Sequence, residues 1–218
     1  MGLLEKFIFR RGYWSHKDLN LDAAHKIRGL QFWNGIRDEG FKLGREFWIE
    51  ELGKGNFLLP IGGNDAHGDL NDTTSVATPL CTLRHSRHHI FGKVRTVVPA
   101  AQCTRDAINE AFAGDNCYVT DGPALWWERA DIHGSKGIIF HARNTNDFGG
   151  AFRYIRIFGR RYTTGGKLAK QEELCIESLV AAPASSDIEI HFDNFAYLRA
   201  ECESATGKFA MTSAAKPL

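Results

Sequence analysis

Residues 187–193 read DIEIHFD and residues 196–202 read AYLRAEC, and the alternation in these two stretches decides much of the fold. In the first, Ile188, Ile190 and Phe192 fall on one side of an extended chain, with Asp187, Glu189, His191 and Asp193 on the other. In the second, Ala196, Leu198, Ala200 and Cys202 oppose Tyr197, Arg199 and Glu201. Strand side chains alternate between faces with period two, so a helix could not gather either apolar set on one side. Outward from here, GIIFHA (137–142), FRYIRIF (152–158) and EELCIESLV (172–180) read as further strands with no helix between them. Such a run predicts an antiparallel sheet with one wet face, packed as a small β-sandwich over residues 125–218.

Upstream the pattern changes. IRGLQFWNG (27–35) reads as a short buried strand ending in an Asn-Gly turn. LGREFWIEELGKG (43–55) places Leu43, Phe47, Trp48 and Leu52 near one helical face and stops at Gly53 and Gly55. NFLLPIGG (56–63) is apolar throughout, as strands covered on both faces tend to be. KVRTVV (93–98) follows as a strand, then RDAINEAFAG (105–114) as a helix capped by Thr104, then NCYVTDGPAL (116–125) as strand and turn. Strand, helix, strand predicts an α/β region over residues 1–124, with its chemistry at the carboxyl end of a strand. No repeat or low-complexity linker separates the two parts, which are expected to pack tightly.

Composition narrows the function. The 218 residues are 43% hydrophobic and 24% charged, ordinary for a soluble globular protein. Twenty-seven Lys and Arg against 26 Asp and Glu give a net charge of +1, without the overall basic footprint of a nucleic-acid binder, so no nucleic-acid partner is expected. No apolar run reaches membrane-spanning length, and the first residues suit neither a secretory signal nor myristoylation. The five cysteines are odd in number, widely spaced and without a CxxC pair, which points to reduced thiols and a cytoplasmic protein.

The candidate chemistry sits in GGNDAHGDLN (62–71). Asp65 offers a hard anionic oxygen and His67 a borderline nitrogen, a pairing suited to Zn²⁺, Mn²⁺ or Fe²⁺. Residues i and i+2 of an extended segment point the same way, so both could face one cleft, and Gly62, Gly63 and Gly68 would let backbone approach a metal or ligand. The bland alternative is a turn in which Asp65 caps backbone amides and His67 is solvated.

LLPIGGNDAHG, then FGKVRTVV, a helix, and NCYVTDGPAL, in that order, resemble the second half of a PHP (polymerase and histidinol phosphatase) metallohydrolase. The likeness is nearest to the branch holding carbaryl-type hydrolases and putative metal-dependent phosphoesterases. QFWNG, the Trp-bearing helix and the tail YLRAECESATGKFAMTS fit the same branch. The resemblance implies a partial PHP-like α/β barrel followed by the β-sandwich, a divalent metal held by Asp65 and His67, and a small-molecule phosphoester, amide or carbamate substrate. It also implies substrate contacts from Asn64, Arg95 and Asp121. The family's opening H-x-H pair is missing here, and only His16 stands about where the family often has a His-Pro ligand, which makes it the third candidate ligand. The chain therefore resembles the C-terminal half of a larger enzyme. Its missing ligands would come from a homo-oligomer, from a partner chain carrying the N-terminal half, or from upstream sequence. The competing expectation is a non-catalytic homologue whose β-sandwich is a binding module.

Three other features carry less. His85 and His89 could meet on a helical turn, but no acidic partner or apolar face accompanies them and a solvated basic loop is the simpler reading. Arg84, Arg87 and Arg95 could attract a phosphate or carboxylate, Arg95 foremost. Asp121 either orients a ligand or opens the turn at Gly122-Pro123, and the turn is favoured. His141 and His191 read as structural, and no serine elbow or cysteine signature supports a nucleophile.

Overall fold

The computed structural model describes residues 29–64, 92–161, 173–192 and 194–217, with the backbone of two short paired strands, β3 (Ser75–Ala77) and β4 (Thr82–Arg84). Its centre is a six-stranded sheet. In spatial order its strands are β10 (Leu174–Val180), β9 (Phe152–Arg161), β12 (Phe195–Ser204), β13 (Phe209–Thr212), β6 (Tyr118–Thr120) and β5 (Arg95–Val97). Every neighbouring pair is antiparallel. A second antiparallel sheet, β11 (Ser185–His191), β8 (Ser135–Arg143) and β7 (Ala124–Ile132), lies against one face. The β7–β8 hairpin closes through His133 and Gly134, both at positive φ, the geometry whose twist suits a two-residue loop. Asp131 accepts a 2.7 Å hydrogen bond from the Gly134 amide and fixes that turn.

The alternation of 188–192 and 198–202 is realised as expected on the inner face, but Ala196 falls in the opposite core with Tyr197, at the register shift between Phe195 and Tyr197. Ile188, Phe192, Leu198, Ala200 and Cys202 are buried in the core between the two sheets, and Ile190 packs against it partly buried. Phe140, Ile138, Ile155 and Ile157 belong to the same core, and the buried charged side chains among the described residues, Glu51, Arg199 and Glu201, are not part of it.

The other face of the large sheet is covered by β1 (Gly29–Asn34), α1 (Glu39–Gly53) and β2 (Leu59–Gly63). The strands β1 and β2 run parallel with α1 as their crossover. Asp38 starts α1 by accepting a hydrogen bond from the Phe41 amide at 3.0 Å, and Gly55 at positive φ ends the turn that follows it. Trp48 and Leu52 bury the inner stripe of α1 against Leu30, Phe32, Tyr197 and Met211. Gly44 lets helix and strand touch, since a Cβ there would lie 2.5 Å from Phe32 Cβ.

This architecture overturns the α/β barrel. Among the described residues there are two α-helices, the sheets are mostly antiparallel, and only β1 and β2 form a parallel pair. The error lies in reading strand–helix–strand as a crossover twice. The second helix, α2 (Arg105–Ala113), is capped by Thr104 as expected, but it buries no residue. It therefore covers no sheet, and the strands it joins, β5 and β6, pair antiparallel. Residue 124 begins β7, and strands from both sides of it share the six-stranded sheet.

The expected wet face is also corrected. Tyr197, Arg199 and Glu201 on β12 are 0%, 0% and 5% exposed, because α1 and the parallel pair lie over them. Alternation separates two faces; it does not say which of them meets water.

Candidate functional site

The strand end singled out by sequence is held by side chains doing the work of a ladder. At the carboxyl end of β2, Asn64 Nδ2 donates to the Val94 carbonyl at 2.9 Å, and Asn64 Oδ1 accepts from the Val94 amide at 2.7 Å. One turn of pleat earlier, Thr96 Oγ1 accepts from the Gly62 amide at 2.9 Å and donates to the Gly62 carbonyl at 3.1 Å. These four bonds fasten the end of β2 to β5, although the two strands belong to different sheets. They also satisfy edge groups that would otherwise be left without partners. Gly62 serves this junction: a Cβ there would lie 2.8 Å from Val94 Cγ1. The close approach a glycine permits here is to a valine side chain.

Arg95 follows Val94 and alternates to the opposite face of the sheet, where its guanidinium lies 6.0 Å from the Phe148 ring. It stands close enough to Tyr118 to counter part of the rise that burial imposes on that phenol. Asp121 closes the end of the β6–β13 pairing. Its Oδ1 accepts from the Phe209 amide at 2.7 Å, its own amide donates to the Phe209 carbonyl at 3.1 Å, and Lys208 Nζ lies 3.7 Å from Oδ2. Thr120 completes the turn by donating to Pro123 O and accepting from the Gly122 amide. Asn64 and Arg95 thus meet the same stretch of backbone but send their side chains to different faces, and Asp121 is engaged in the turn.

Asp65, His67 and His16 lie outside the described residues, as do His85 and His89. Among the described residues no group of three His, Cys, Asp or Glu side chains could hold a metal ion. His141 sits on the outer face of the three-stranded sheet, stacked on Trp126 with Nδ1 2.8 Å from Asp187 Oδ1. Arg143 bonds the same carboxylate, and the two together hold Asp187 below the ordinary carboxyl range. Burial pushes the Cys117 thiol up to about 12 and raises Cys202 as well, so neither is a nucleophile near neutral pH.

A constellation that sequence reading missed lies beneath α1. Arg199, wholly buried, donates through Nε to Glu173 Oε1 at 2.6 Å and through its two terminal nitrogens to Glu173 and Glu201. Arg45 on α1 reaches the same Glu201 oxygen, its Nε at 2.9 Å. The Arg199 guanidinium also lies 5.5 Å from the Trp48 ring and 4.5 Å from the Phe158 ring. Burial opposes the charge on Glu201, but Arg199 and then Arg45 outweigh it and hold the carboxyl below its ordinary range. The sequence did carry a signal. Arg45 stands three residues before Trp48 and seven before Leu52, on the stripe that α1 buries, and a charge placed there requires a buried partner.

No protein-family model matches the chain, and no curated protein or solved structure matches it. Among the described residues no helix is long and apolar enough to cross a membrane.

Proposed function

We propose that the chain is a metal-dependent hydrolase of PHP-like ancestry in which Asp65 and His67 bind a divalent ion. The observation that supports this reading is the β1–α1–β2 unit. It is the one parallel pair among the described residues, and its second strand runs directly into Asn64-Asp65-Ala66-His67. Carboxyl ends of parallel strands are where α/β units gather ligand-binding loops. The Asn64 clamp fixes the backbone at the residue before Asp65. Carboxylate and imidazole suit Zn²⁺, Mn²⁺ or Fe²⁺, and the ion would supply Lewis acidity toward a phosphoester, amide or carbamate. A catalytic ion takes about three protein ligands and an open position, so His16 or a second chain would complete the set.

The test is calorimetric titration of the full chain with Zn²⁺ and Mn²⁺, alongside hydrolysis of nitrophenyl phosphates and esters. Saturable binding that Asp65→Ala and His67→Ala each abolish is the expected result, with little turnover by the isolated chain. Binding that survives both substitutions, or none in the parent, overturns the metal reading. Robust turnover lost in both variants would instead show that the missing ligands are recruited. A second reading, a non-catalytic binding module, has its own support. Two of the three described residues expected to touch substrate, Asn64 and Asp121, have their side chains engaged by the backbone.

A further inference from the structure

The helix α2 is too short to stand by itself. It has nine residues, and isolated helices shorter than about 12–15 residues are marginal in water unless an apolar face packs against something. Ala107, Ile108, Ala111 and Phe112 form such a face, and each is half-buried. Among the described residues, however, Ile108 and Phe112 belong to neither of the two hydrophobic cores. The Thr104 cap satisfies one amide and leaves that face without a partner. A second layer is required over it.

Residues 1–28, 65–91 and 162–172 are the stretches of this chain left to supply that layer, and topology separates them. The strands β2 and β5 run in opposite directions, since Gly62 meets Thr96 and Asn64 meets Val94. Residues 65–91 leave β2 after Asn64 and return before Gly92, so both their ends are held at the Asn64 clamp. The helix α2 joins the opposite ends of β5 and β6, where Val97 pairs with Tyr118. Residues 162–172 join β9 to β10, at the far edge of the six-stranded sheet from β5. Residues 1–28 enter β1 at Gly29, which pairs with Leu59 at the start of β2. The carbonyl of the next residue, Pro60, lies 3.7 Å from Cys117 Sγ, and Cys117 follows closely on the Gly114 cap of α2. The chain before Gly29 therefore arrives at the α2 end of the molecule.

We propose that residues 3–8 lie across the apolar face of α2. Leu3, Leu4, Phe7 and Ile8 repeat the spacing of Ala107, Ile108, Ala111 and Phe112, which sets large side chains of one stripe over alanines of the other. Net charge favours the pairing. Arg105, Asp106 and Glu110 give α2 a charge of −1, while Glu5, Lys6, Arg10 and Arg11 give residues 3–11 a charge of +2. A second copy of the chain is the poorer occupant, because four side chains fall far short of the roughly 20–30 residues a side that a stable interface takes. A tethered segment needs no such area, since its linker holds it at an effective concentration on the order of millimolar. This proposal is independent of the metal reading.

Arg10 and Arg11 follow the proposed contact directly, so trypsin reports it. The full chain is digested briefly under native conditions, and cleavage after Arg10 and Arg11 is timed by mass spectrometry against a free peptide of residues 1–16. Cleavage of the parent should be roughly ten-fold slower than that of the peptide, or slower still. Phe7→Ala and Phe112→Ala should each speed it roughly five-fold or more, as the open population grows. The double variant should be no faster than the faster single one, because both remove the same contact. Asn109→Ala, at an exposed position off the stripe, should change nothing. Melting curves establish that the variants fold, and Phe7→Ala leaves α2 itself intact, so it remains informative if Phe112→Ala melts the helix. Parent cleavage as fast as that of the peptide, or single effects that multiply in the double variant, overturns the proposal. A dimer in light scattering that Phe112→Ala dissociates, with cleavage after Arg10 and Arg11 unchanged, overturns it in favour of a second copy.

Discussion

On the face of β12 turned toward the three-stranded sheet, Leu198, Ala200 and Cys202 meet Ile138, Phe140 and Ile188 in an apolar core. On its other face Tyr197, Arg199 and Glu201 meet α1, and there two guanidiniums and two carboxylates are packed among Trp48, Phe158 and Leu52. Both faces exclude water, but they do so with different physics. The apolar face is stabilised by area removed from water and needs only shape. The charged face gains little net energy from its ion pairs, because desolvation offsets their attraction. What it gains is direction: only one placement of α1 brings Arg45 to Glu201 and Trp48 to Arg199.

The largest expected effects come from breaking each face at its centre. Phe140→Ala should cost about 3–5 kcal/mol, as truncation of a fully buried aromatic does. Arg199→Ala should cost about as much, roughly 3–5 kcal/mol, by leaving Glu173 and Glu201 buried without their shared partner. Urea denaturation would give both values. Acid separates them. Because the folded Glu201 carboxyl titrates below its unfolded value, its contribution is present above the unfolded carboxyl range and is lost as pH falls through the folded value. Stability of the parent should therefore drop below about pH 4–5, near the unfolded glutamate value. Phe140→Ala should lower the whole curve and keep that slope, whereas Glu201→Gln should flatten it. Equal slopes in both variants would mean that the buried pair is not what acid attacks.

The same contrast explains what the sequence could and could not reveal. Ile188, Phe192, Leu198 and Ala200 were legible because alternation of apolar and polar types is a one-dimensional signal with a fixed period. Arg199 and Glu201 were assigned to solvent by that same signal, since a layer folding back from residues 29–63 leaves no mark on residues 197–201. The helix caps at Asp38 and Thr104 are local chemistry, and Thr104 was found. Whether a helix crosses over a sheet or merely loops away is tertiary, and α2 shows the difference. Of the candidate site, Asn64 was found for its neighbours, Asp65 and His67. Its clamp on Val94, thirty residues further along the chain, depends on a pairing no local pattern encodes.

A smaller effect tests how firmly the parallel pair is seated. Gly44 brings α1 against β1, and an added Cβ would lie 2.5 Å from Phe32 Cβ and 3.5 Å from its Cα. Neither atom can yield without moving the strand. Overpacking of this kind costs about 1–3 kcal/mol, against a gain of about 1 kcal/mol from replacing glycine inside a helix. Gly44→Ala should therefore be destabilising by about 1 kcal/mol, read as a lower urea midpoint with an unchanged slope. A stabilised variant would show that α1 rides loosely over β1.

The smallest effect is expected where the clash is numerically the worst. A Cβ on Gly53, at the end of α1, would lie only 1.7 Å from Arg160 Nη1. The obstacle is the far end of a long side chain, and Arg160 Nε has no hydrogen-bond partner among the described residues to hold it. The guanidinium can swing aside. What is lost is a cation beside the carboxyl end of a helix, a favourable position of about 0.3–1 kcal/mol. What is gained is the helix preference of alanine over glycine, about 1 kcal/mol at most so near the terminus. The two offset, and Gly53→Ala should unfold within about 0.5 kcal/mol of the parent, as surface changes do. A loss several times larger would place Arg160 with Arg45 and Arg199 as a third fixed cation of the charged face, and that face would then be a rigid network extending from β12 onto β9.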